Sequence, residues 1–71
     1  MNIKIGDFVS SIDKDIVFNL FVLKVYESTF LGLILNKNEL TKDLFYNNQF
    51  EKITDKEVIN DLKRVMNEKG K

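Results

Sequence analysis

Asp13, Lys14 and Asp15, with Asp7 a short way upstream, are the residues whose type and spacing first suggest chemistry: carboxylates that could hold a hard cation. Such an ion takes six or more oxygens from a fixed loop, and no calcium-loop pattern surrounds these residues. A solvated turn without metal is therefore expected. Ser10, Ser11 and Ser28 offer hydroxyls, but the chain has no histidine to serve as their base and no Gly-x-Ser-x-Gly elbow. Cysteine is also missing, which removes disulfides, thiolate nucleophiles and thiolate metal sites. Gly6, Gly32 and Gly70 stand too far apart to cradle a phosphate. The expectation is a protein without catalytic residues, cofactor or metal, and not an enzyme.

The rest of the composition narrows the class. With 71 residues the chain has room for one domain, spanning 1–71, and a 44% hydrophobic share is enough to give that domain a core. Lys and Arg number 11, as do Asp and Glu, so the net charge is zero. A non-specific nucleic-acid binder normally carries a positive excess with which to displace counterions. The first seven residues lack the apolar run of a signal peptide. The most apolar window, residues 16–35, is interrupted by Asn19, Lys24, Glu27 and Ser28, whereas a bilayer span needs about 20 mostly apolar residues. No membrane partner and a cytoplasmic location are expected. Heavy use of Lys, Asn and Ile, all with AT-rich codons, suggests a low-GC bacterium or a phage or mobile element living in one.

Positioning falls to two kinds of element: short strands up to about Ile53, then a helix. A Gly6-Asp7 turn feeds Phe8 and Val9. Residues 16–26 follow as a long strand, apolar on both faces near its middle, which predicts a bulge or cover on both sides. Its second half alternates, with Phe21, Leu23 and Val25 on one face and Val22, Lys24 and Tyr26 on the other. Residues 30–35 form a hairpin partner in which Gly32 permits bending or close approach. Residues 40–46 fit a helical turn or a short strand, and the strand is preferred. A polar break at 47–49 precedes a last strand at 50–53. Over 54–70, Val58, Ile59, Leu62, Val65 and Met66 recur at helical spacing. Thr54 and Glu57 fit a capping box, Ile53 a staple against Val58, and Gly70 a left-handed helix end.

The strand region, residues 4–53, resembles SH3-like small barrels. The resemblance rests on Ile5-Gly6-Asp7-Phe8-Val9, the long second strand ending at Tyr26, the tight hairpin into residues 30–35, and the one-turn break Asn47-Asn48-Gln49 before Phe50. It implies a mainly β (α+β) fold, an antiparallel barrel of about five strands followed by one C-terminal helix, and a binding rather than catalytic role. The aromatic ligand loops of eukaryotic SH3 domains and the basic balance of RNA-binding KOW barrels are not present.

Eight aromatics are many for a chain of this length, and residues 16–22 alone carry six large apolar side chains in seven positions. A pleated strand sends neighbours to opposite faces, so some of these should remain for an interface. Phe18, Phe21 and Tyr46 are the candidates. A protein partner, or a second copy of the chain, is the leading expectation, with the protein acting as a regulator, adaptor or inhibitor. The alternative is a nucleic-acid-binding barrel that stacks bases on Tyr26, Phe30 or Tyr46 beside Lys24 and Lys42.

Overall fold

The computed structural model describes residues 3–70. Strands β1 (Phe8–Ser11), β2 (Asn19–Val25), β3 (Thr29–Ile34), β4 (Thr41–Tyr46) and β5 (Phe50–Lys52) form one antiparallel sheet in the order β4-β3-β2-β1-β5. A single 3-10 turn, Asn47–Gln49, joins β4 to β5, and helix α1 (Lys56–Lys69) ends the chain. Among the described residues no helix is long and apolar enough to cross a membrane.

Alternation along the strands builds two apolar layers. Val9, Leu20, Val22, Phe30, Ile34 and Phe50 point to the inner face, joined there by Ile3. Phe8, Phe21, Leu33 and Leu35 point outward, where Ile59, Leu62 and Met66 of α1 cover them. The helix is thus the second layer that a two-faced sheet needs. Gly32 sits buried on the inner face. A Cβ there would lie 3.0 Å from the Phe30 ring and 3.2 Å from Leu20, so glycine makes room for the aromatic core. Gly6, at φ +91°, is the turn residue before β1; its N–H donates to Val22 O.

The second strand, expected to carry a bulge or to be covered on both sides, has both, and the bulge changes which residues share a face. Val22 pairs with Gly32 but Lys24 pairs with Leu31, leaving Leu23 as the extra residue. Phe21 and Val25 therefore fall on opposite faces, contrary to simple alternation: Phe21 lies toward α1 and Val25 in the inner layer. The strand is also shorter than residues 16–26, because Ile16 and Val17 lie in the preceding loop and are exposed. Residues 41–46 are strand, as preferred.

The expected barrel is an open sheet. No backbone ladder joins β4 to β5 among the described residues, since the short 3-10 turn delivers β5 to β1, where Ser11 pairs with Phe50. At the helix start the cap is Asp55 rather than Thr54: its Oδ1 accepts from Glu57 N at 2.9 Å. A carboxylate accepts this bond more strongly than a hydroxyl and also suits the positive helix end. Val58 is exposed, and Ile53 instead joins the layer formed by Ile59, Leu62 and Met66. Gly70 closes the helix in a right-handed conformation, φ −82°, donating to Met66 O. Arg64 pairs with Asp61 at 3.8 Å on the exposed side of the helix.

Candidate functional site

The seam left open between β4 and the β1–β5 side of the sheet holds a groove of about 440 Å³. Its apolar lining comes from Ile12, Ile16, Phe18, Phe45 and Phe50, and its polar rim from Ser11, Asp13, Asn48 and Gln49. Phe45 and Phe50 belong to β4 and β5, so the groove floor is the mouth of the inner core.

One wall is the loop 12–17, which buried Ser11 ties at its base. The Ser11 N–H donates to Phe18 O at 3.2 Å, its hydroxyl donates to Ile16 O, and the same hydroxyl accepts from Phe18 N at 3.1 Å. Inside the loop Asp13 Oδ1 accepts from Asp15 N at 2.9 Å, an Asx turn. At the far end Asn36 Nδ2 donates to Val17 O at 2.7 Å while its Oδ1 accepts from Asn19 N at 3.2 Å. Ile12 N donates to Gln49 O at 3.0 Å and fastens the loop to the 3-10 turn. Held in this way, Ile12 is 46% and Ile16 57% exposed. Large aliphatic side chains held in water on a fixed loop mark an association surface more strongly than scattered apolar exposure does.

Phe18 is half-buried between this loop and the core, its ring 5.8 Å from Phe45 and with Lys37 Nζ 5.5 Å away over its face. Phe21 lies elsewhere, on the outer face against Phe8 at 5.0 Å, in the layer covered by α1. Tyr46 is 61% exposed at the end of β4, beside Glu27, Ser28, Asn47 and Asn48. The three candidates do not share one surface; Phe18 belongs to the groove. Of the proposed base-stacking residues, Phe30 is fully buried, while Tyr26 and Tyr46 are exposed. Asp7 is remote from Asp13 in role: it accepts from Lys4 N at 2.9 Å and pairs with Lys52 at 3.5 Å. Among the described residues no three acidic side chains gather where they could hold a metal ion.

Ile12, Ile16 and Phe45 escaped the sequence reading. Ile12 and Ile16 did leave a signal, apolar residues on either side of the polar Asp13-Lys14-Asp15 break. Phe45 left none, since its place in the groove depends on the open seam.

No protein-family model, curated protein or solved structure matches the chain. Its class rests on architecture: a small antiparallel five-stranded sheet with one C-terminal helix, consistent with an SH3-like fold.

Proposed function

We propose that this protein is a small non-enzymatic binding module that takes an apolar segment of a partner protein into the groove between the loop 12–17 and β4. It then acts by occlusion or bridging, as an inhibitor, adaptor or regulator in the cytoplasm of a bacterium, with a phage or mobile-element origin suggested by codon-biased composition. The observation that carries this reading is the exposure of Ile12 and Ile16 on a loop fastened at both ends, beside half-buried Phe18 and Phe45. A fixed apolar surface loses little conformational entropy on binding, so the area it buries is converted efficiently into affinity.

The test uses Ile16→Lys and Ile12→Lys, surface substitutions expected to leave circular dichroism unchanged. Partners recovered by crosslinking with the wild-type chain should be lost from both variants. Retention of the same partner set by both folded variants would remove the groove as the site.

A second reading has one observation in its favour. Tyr26 and Tyr46 are both exposed at the same end of the sheet, with Lys24 close to Tyr26, whereas Lys42 lies toward the other end of β4. Single-stranded nucleic acid could stack there. Against it, Lys24 Nζ already lies 5.5 Å from the Tyr26 ring centroid, and the chain has no positive excess. Oligonucleotide affinity that falls steeply with salt would favour this reading over the first.

A further inference from the structure

Strand β4 is the terminal strand of the sheet, and its free edge has a defined set of backbone groups. Leu44 N donates to the side chain of its own neighbour, Asp43 Oδ1, at 2.8 Å, so it takes no part in the ladder with β3. Asn47 N, three positions on, donates to Ser28 O at 3.0 Å, on the β3 side. Backbone groups alternate along an antiparallel strand. Lys42, Leu44 and Tyr46 therefore present their N–H and C=O to the free edge, and their side chains share the outer face with Leu31 and Leu33. Leu44 is 58% exposed and Tyr46 61%, beyond the area that α1 covers.

We propose that this edge pairs with the same edge of a second copy, antiparallel about a two-fold axis through Leu44. The register follows from parity and chemistry. Hydrogen-bonded pairs across the axis must join edge-facing residues, so Leu44 can meet Leu44, or one of its even-numbered neighbours. Shifting the pairing one step toward the N-terminus puts Asp43 opposite Asp43, and one further puts Lys42 opposite Lys42, both setting like charges face to face. Shifting it toward the C-terminus sets Lys42 and Asp43 against the 3-10 turn Asn47–Gln49 and shortens the paired stretch. The Leu44-centred register avoids this. It places Lys42 opposite Tyr46 of the second copy, twice, a cation–aromatic pairing of the kind that Lys24 already makes with Tyr26 within the sheet. Asp43 sets the strength of the association. Its carboxylate occupies the Leu44 N–H in the free chain and must release it before the strands pair.

An edge of this length buries little area, so the dimer belongs to the weak, concentration-dependent class. The chain has no cysteine, which makes disulfide trapping specific. Across a hydrogen-bonded pair the Cα atoms lie about 5.5 Å apart, within disulfide reach. Under mild oxidation Leu44→Cys should give a covalent dimer, as should Lys42→Cys combined with Tyr46→Cys, whereas Lys42→Cys alone should stay monomeric. In sedimentation equilibrium the wild-type chain should dimerise reversibly, and Asp43→Ala should tighten the dimer about tenfold by freeing the N–H. Wild-type and folded Asp43→Ala chains that both remain monomeric at millimolar concentration would overturn the proposal. Equal trapping by Lys42→Cys alone would overturn the register, since it would move the two-fold axis from Leu44 to Lys42.

Discussion

Phe45 and Phe50 come from strands that no backbone ladder joins to each other, yet their rings meet edge to face, 5.3 Å apart and 73° inclined. Phe30 meets Phe50 at 5.4 Å and 90°, so three strands converge on one aromatic cluster. Side chains bring together here what hydrogen bonds do not close. Phe50→Ala should cost about 3–5 kcal/mol, as truncations of buried Phe do. A double-mutant cycle with Phe45→Ala should show about 0.5–1.5 kcal/mol of coupling, the usual range for aromatic pairs. Chemical denaturation of the four chains measures both; strictly additive losses would mean that the contact does not hold the seam.

Gly32 is the space that this cluster needs. Gly32→Ala places a methyl group against Phe30, Leu20 and Phe45, at 3.0, 3.2 and 3.3 Å. Two of these neighbours are wholly buried or nearly so and have little room to give, so a loss of about 1–3 kcal/mol is expected. A denaturation midpoint at or above that of the wild-type chain would show that the core has slack.

Leu62 is the one buried residue of α1 and the centre of its contact with the sheet. Leu62→Ala should destabilise by about 2–5 kcal/mol, whereas Val58→Ala, on the exposed side, should change stability by less than about 1 kcal/mol. Similar losses for the two would contradict the orientation of the helix. Lys69 adds a tether at the other end, where its Nζ donates to Leu35 O at 3.3 Å and to Lys37 O.

The helix cap separates two adjacent residues. Asp55→Ala should cost about 1 kcal/mol by removing the acceptor for Glu57 N. Thr54→Ala, one position outside the helix, should be close to neutral. Thermal unfolding of both variants decides it, and a larger loss at Thr54 would restore the capping box.

Ser11 controls the groove wall. Ser11→Ala leaves Phe18 N and Ile16 O without their hydroxyl partner and should cost about 1–3 kcal/mol. The loss should be felt locally, as faster amide hydrogen exchange at Phe18, with the amides of β3 unchanged. Uniform acceleration across the sheet would place the effect in global stability instead.

Much of the architecture was legible in the chain because it is written in local chemistry. Alternating apolar residues gave the strands, Gly6-Asp7 the turn before β1, and the 3.6-residue spacing of Ile59, Leu62 and Met66 the helix and its buried side. A bulge or cover on both faces was also implied by the run apolar on both faces, and the strand has both, with α1 over its outer side. The exact residue was not legible: displacing Leu23 re-aims Lys24 and Val25, and that choice follows from pairing with β3 across the sheet. The sequence pointed to Thr54 as the cap, but Asp55 takes that place, because the docking of Ile53 and Leu62 on the sheet sets where the helix begins. The candidate site depended most on tertiary structure. Ile16 and Val17 share the composition of the strand that follows, and their place in the loop is set by Ser11 and by Asn36, which reaches across from the far end of β3. Phe18 and Phe21 look equivalent in sequence; the sheet sends one into the groove and the other under α1. The types of element were therefore fixed by short-range periodicity. Which apolar side chains stay in water was decided by contacts between residues far apart in the chain, and no local pattern encodes those.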